Sequence, residues 1–146
     1  MELSVQAWSP WLKKDIELLE QVQKRAVDMV VGLSSTSYNE KLKELKLLSL
    51  EDRRLRGDLI QVWKYLHGLN TGCDKVFTLS NKQHSRSSRH TTKRLNICRV
   101  EGRLEIRKNF YTVRVADKWN SLPCWVQEAE DIDTFKKELD AFMFTI

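Results

Sequence analysis

The stretch "RRLRGDLIQVWKYLHGL", residues 53–69, sets three arginines directly in front of an apolar pattern. Leu55, Leu59, Val62, Leu66 and Leu69 recur at steps of four, three, four and three, and Trp63 widens that face. This spacing predicts an amphipathic helix with one buried stripe. "SLED" at 49–52 supplies its start, a partial capping box with Asp52 in place of the preferred Glu. Arg53, Arg54 and Arg56 then fall near the helix start, where the dipole disfavours cations and Glu51, Asp52 and Asp58 offset them. They read as bridges to acids on neighbouring helices in preference to a grip on a phosphate backbone. The "RGD" at 56–58 would need an exposed loop to act in cell adhesion; inside a helix it is coincidence.

The same periodicity continues on either side. Residues 12–31 place Leu12, Ile16, Leu19, Val22, Ala26, Met29 and Val30 on one face, with Pro10 before and Gly32 after as start and stop signals. Ser37 is a candidate N-cap for a short helix from Tyr38 to Leu45. Further on, Tyr111, Val115, Trp119 and Leu122 share a face flanked by Phe110, Val113 and Ala116, and Pro123 ends it. A last helix over about 132–144 buries Ile132, Phe135, Leu139, Phe142 and Met143, with Asp131 or Asp133 as its cap. Residues 70–94 are the weakest-patterned stretch: "NTGCD" (70–74) is a turn signal and "SNKQHSRSSRHTTKR" (80–94) is polar, basic and poor in large apolar side chains, which predicts a mobile surface loop. After it, Leu95, Ile97 and Val100, then Leu104 and Ile106, alternate with polar residues. Two short strands, a hairpin around Glu101-Gly102, or extended chain without a partner all fit that alternation.

Charge is distributed unevenly over the 146 residues, whose net charge is +5. Residues 1–80 hold twelve Lys/Arg and eleven Asp/Glu, residues 81–114 ten and two, and residues 115–146 three and seven. One band therefore carries the whole positive excess. Such a band attracts polyanions, nucleic acid first, unless it is merely a solvated loop. Its cations Arg86, Arg89, Lys93, Arg94, Arg99, Arg103, Arg107, Lys108 and Arg114 are the candidate phosphate contacts. Phosphate contacts give affinity without sequence specificity. Trp and Tyr could stack on bases, but their helical spacing favours burial.

Catalytic chemistry finds no support. Cys73, His84, His90 and Cys98 are ligand-type residues without the short paired spacings of a structural zinc site. No Gly-x-Ser-x-Gly elbow, P-loop or dinucleotide fingerprint is present, and there is no Asp-Asp pair for two-metal phosphoryl chemistry. No cofactor is expected. Three widely spaced cysteines do not form a disulfide framework, which points to an intracellular setting, nucleus or cytoplasm. No secretory signal is evident, and no apolar run approaches membrane-spanning length, so no membrane partner is expected.

Three stretches together resemble one family: "WSPWLKKDIELLEQVQKRA" (8–26), "GLSSTSYNEKLKELKLLSLEDRRLRGDLIQVWKYLHG" (32–68) and "RKNFYTVRVADKWNSLP" (107–123), with "FKKEL" at 135–139. They are similar to the C-terminal part of the polyprotein of LINE-type non-LTR retrotransposons, in a Jockey-like branch. The match is collinear over about residues 8–140 and loosest over 70–100. The resemblance implies a helical accessory region behind the reverse-transcriptase palm, around or beyond the thumb, in contact with template RNA, primer or target DNA. The palm's paired aspartates have no counterpart here, so no catalytic residue is carried over. Arg53, Arg54, Arg56 and Arg114 belong to the shared motifs.

The expected fold is mainly α: a small helical bundle with a basic irregular connector and room for a short β-hairpin. Within it, residues 1–80 form an N-terminal helical region, 81–106 the connector and 107–146 a C-terminal helical region, together one domain. The expected function is non-catalytic, non-specific binding of RNA or DNA backbone. The competing expectation is a scaffold fragment that meets a polymerase domain or another protein through exposed apolar surface.

Overall fold

The computed structural model describes residues 4–30, 32, 37–70, 76–80, 95–99 and 104–145. Within them the chain is mainly helical, as expected: α1 (Val5–Trp8), α2 (Lys13–Asp28), α3 (Tyr38–Glu44), α4 (Leu50–Leu66), α5 (Glu105–Lys108), α6 (Tyr111–Asn120), α7 (Cys124–Gln127) and α8 (Ile132–Thr145). It forms two compact units, Met1–Gly57 and Asp58–Ile146, and the division falls inside α4.

In the first unit, helix ends are fixed by side chains that reach back onto the backbone. Ser37 and Glu40 form a full capping box on α3. Ser49 Oγ accepts from Asp52 N (3.1 Å) at the start of α4, but the shorter Asp52 accepts from the Ser49 hydroxyl (2.6 Å). Glu20, on α2, accepts from both the Tyr38 hydroxyl and the Leu50 amide, so one carboxylate ties α2 to the first residues of α3 and α4. Burial and the Glu20 carboxylate hold the Tyr38 hydroxyl protonated far above the ordinary phenol range. Lys41 of α3 is buried against Asp28 of α2 at 2.7 Å.

The turn after α3 is a Schellman motif, with the Leu47 amide bonded to the Leu42 carbonyl at 2.8 Å. Its left-handed position is occupied by Lys46 (φ 53°), whereas the equivalent position after α4 carries Gly68 (φ 68°). Side chains other than Gly or Asn are strained there.

The second unit is built around Phe135 of α8, which is fully buried. Its ring lies 5.7 Å from that of Trp63 on α4 and 5.9 Å from that of Trp119 on α6, so one side chain joins three helices. Leu59, Val62, Val115, Ala116, Leu122, Val126 and Leu139 fill the space around them. Of the two expected caps of α8, Asp131 accepts from the Thr134 amide at 3.1 Å. That interaction with Thr134 holds the Asp131 carboxyl below its usual range.

Two sequence expectations differ from this structure. The second strand around Leu104–Ile106 is instead the helical turn α5. Three alternating residues cannot separate a strand from one turn of helix, and the Leu104 carbonyl accepts from the amides of Arg107 and Lys108. Ile97 does enter an extended pairing, but its partner is Leu79, in a stretch read as loop. Among residues 76–80, Phe77 is held edge-on between the rings of Tyr65 and Tyr111. The remainder of the expected loop, 71–75 and 81–94, and the Glu101-Gly102 turn lie outside the described residues.

Two outcomes follow. Lys46→Gly raises stability by about 1 kcal/mol by relieving the left-handed backbone, and Lys46→Ala does not; urea unfolding compares them. Because the Asp131 pKa is depressed in the folded state, its contribution is complete above the normal carboxylate range and is lost as pH falls through the depressed value. Asp131→Ala is therefore less stable than the parent at neutral pH, and thermal melts in acid show the gap closing.

Candidate nucleic-acid interface

In the second unit one buried carboxylate, Asp58, holds Arg114. Asp58, the last residue of the "RGD", lies in α4 and is almost fully buried. Its Oδ2 accepts from Arg114 Nε (3.1 Å) and Nη2 (2.9 Å), and its backbone carbonyl accepts from the Tyr111 hydroxyl at 3.1 Å. Arg114 Nη1 donates to the Asn109 carbonyl at 3.2 Å. The guanidinium thus joins α4, α6 and the corner between α5 and α6. Burial, then the charge of Asp58, pushes the Tyr111 hydroxyl far above the ordinary phenol range, so it remains a donor at any physiological pH. A buried Asp58 inside a helix also removes the adhesion reading of "RGD".

The nine candidate cations separate accordingly. Arg86, Arg89, Lys93, Arg94 and Arg103 lie outside the described residues. Arg114 is part of the framework: a buried carboxylate requires a paired cation, and charge counting along the chain does not see that requirement. Arg99 is exposed and 3.5 Å from the equally exposed Asp117, a pairing that contributes little and leaves the arginine accessible. Arg107 and Lys108 sit together on the outer side of α5, both exposed. The structure therefore brings two candidates onto one turn and turns a third inward.

The segment 95–99 that carries Arg99 is held by the dipeptide Trp119-Asn120. Trp119 Nε1 donates to the Leu95 carbonyl at 2.7 Å. Asn120 uses both ends of its amide on Ile97, accepting from its N–H and donating to its carbonyl, each at 2.9 Å. On the opposite side, the Ser80 amide donates to the Asn96 carbonyl (2.8 Å) and the Cys98 amide to the Thr78 carbonyl (2.7 Å). Gln127 Nε2 then bonds the Trp119 carbonyl (2.7 Å), closing the end of α6. Trp119 was expected in the core, and it is; the role of Asn120 left no sign in the hydrophobic pattern.

Of the arginines in the opening stretch, Arg53 is exposed and Arg54 is buried, its Nη2 without a hydrogen-bond partner among the described residues. Three apolar side chains near the cations were also missed. Leu104, Ile106 and Phe110 are 63%, 66% and 56% exposed. Their signal is the interleaving of "LEIRKNF" itself, apolar and cationic residues within seven positions.

Among the described residues, no group of three or more His, Cys, Asp or Glu could hold a metal ion, and no helix is long and apolar enough to cross a membrane. His84, His90 and Cys73 lie outside those residues. Compared with family models, curated proteins and solved structures, the chain has no match in any of the three.

Arg114→Ala leaves the Asp58 carboxylate buried without its cation and destabilises the protein by about 3–5 kcal/mol. Replacing both residues with leucine recovers most of that loss, and a double-mutant cycle in urea measures the recovery.

Proposed function

We propose that this chain is a non-catalytic module that binds RNA or DNA through its phosphate backbone. We further propose that it corresponds to the helical region behind the palm of a LINE-type reverse transcriptase. The observation that carries the binding reading is the exposed pair Arg107 and Lys108 on α5, inside the segment with ten cations against two acids. Cations placed on a helical turn meet phosphates without reading bases, so the binding is non-specific.

The family reading is supported by the way its motif residues interlock. "RGDLI" supplies Asp58 and Leu59, while "RV" and "WNSLP" supply Arg114, Val115, Trp119, Asn120 and Leu122. Asp58 and Arg114 pair directly, and the four apolar residues lie in one core. On this reading the isolated chain does not polymerise, needs no cofactor, and works in the nucleus or cytoplasm.

One observation favours a second reading, docking of a protein. In the first unit a groove of about 590 Å³ is lined by Val22, Gln23, Ala26, Val27, Val30, Leu45, Leu47, Leu50 and Arg53. Leu18, Val22 and Met29 of the same region are more than half exposed. Self-association or protein capture that Val22→Asp abolishes, together with indifference to nucleic acid, selects this alternative.

Backbone binding has a definite salt signature. About five phosphate contacts give a log–log slope near −3.5 on single strands and −4.5 on duplex, measured by anisotropy titration. Joint replacement of Arg107 and Lys108 by Ala flattens the slope by roughly 1.5–2. Alanine at Arg86, Arg89, Lys93 and Arg94 weakens all sequences alike. No binding at about 50 mM salt, or a flat salt response, overturns the proposal.

A further inference from the structure

We infer that the α5–α6 corner is a stacking platform that makes this chain prefer single-stranded nucleic acid to duplex, with Phe110 as the residue that contacts a base. The inference rests on the nucleic-acid reading above and narrows it to one strand class and one site.

Cations alone do not account for this corner. Leu104, Ile106 and Phe110 are each more than half exposed on either side of Arg107 and Lys108. Leaving three large apolar side chains in water around a cationic turn is unfavourable for an isolated protein. It becomes favourable against a partner that offers apolar faces and negative charge together. An unstacked strand does so, since its bases expose flat π-faces beside its phosphates. A duplex buries those faces in its own stack and presents phosphates and base edges without open π-faces.

The backbone that carries the aromatic ring is also held in place, as a platform requires. Phe110 is the N-cap of α6, and its carbonyl accepts from the amides of Val113 and Arg114, both at 2.9 Å. Its own amide bonds the Arg107 carbonyl at 3.2 Å. Arg114 anchors the preceding carbonyl, that of Asn109, to the buried Asp58. A ring presented by a fixed corner loses little freedom when a base settles on it. Trp125, also half exposed, is a poorer candidate because Glu128, Glu130 and Asp131 follow it and would repel a strand.

The test uses the full chain and three probes: an oligouridylate of about fifteen nucleotides, a duplex of equal length, and an abasic strand that keeps the phosphates. Phe110→Ala is expected to weaken oligouridylate binding about tenfold and to leave duplex and abasic affinity unchanged, with Phe110→Trp restoring the loss. Arg107→Ala lowers affinity for all three probes. The ring is exposed, so Phe110→Ala keeps the parent's circular dichroism and melting temperature. Equal losses on duplex and single strand, or no loss on the single strand, overturn the platform while leaving backbone binding standing. Absence of binding to every probe overturns both. An acidic amphipathic peptide that binds more tightly than oligouridylate, and loses affinity in Phe110→Ala, overturns it in favour of a protein partner.

Discussion

A carboxylate removed from water inside a helix must be answered, and Asp58 is answered by Arg114. That demand fixes where α6 lies against α4. It also fixes the corner before α6, because the same guanidinium holds the Asn109 carbonyl. Desolvation offsets much of the attraction in such a pair, so it adds less to stability than to the definition of one arrangement. The hydrophobic stripes would tolerate some sliding of α6 along α4. The ion pair, the Tyr111 hydroxyl on the Asp58 carbonyl and the Trp63–Phe135–Trp119 cluster together do not.

Among the described residues, two cations of the basic band face acids. Asp58 takes up Arg114, and Asp117 partly faces Arg99. Arg107 and Lys108 remain exposed on a turn with apolar neighbours. The chemistry of the described surface is therefore mixed, and a mixed surface discriminates between polyanions in a way that pure charge does not. In the proposed binding mode, phosphate attraction brings polyanions near and the apolar neighbours select among them.

How much of this could be read beforehand depends on the range of each interaction. The long helices α4, α6 and α8 were legible because burial imposes its period over several turns. In α2 the period gave the helix but not its buried face: Leu12, Val22, Met29 and Val30 are exposed and Val27, outside the expected stripe, is buried. Ser37 was legible as a cap, and Asp131 as one of two candidates, because the partner amide lies three residues away. The one-turn helices α1, α5 and α7 are too short to display a period, and Leu104 and Ile106 accordingly mimic a strand. Asn120 meets Ile97 across 23 positions, and Arg114 meets Asp58 across 56. Composition shows that Arg114 is charged but not that a buried acid waits for it. The exposure of Phe110 was hidden for a related reason: a ring beside a helical stripe looks like part of it until the corner turns it outward.

Asn120 has one more effect. Extended backbone with free N–H and C=O groups along one side invites another strand to add to it, and such addition is a common first step toward aggregation. In the segment 95–99 one side is taken by Thr78 and Ser80, and on the other the Ile97 groups are taken by a side-chain amide that imitates a neighbouring strand. Asn120 thereby covers the outer edge of that segment at Ile97. The bridge between Leu79 and Ile97 can thus persist without offering the Ile97 edge to copies of itself.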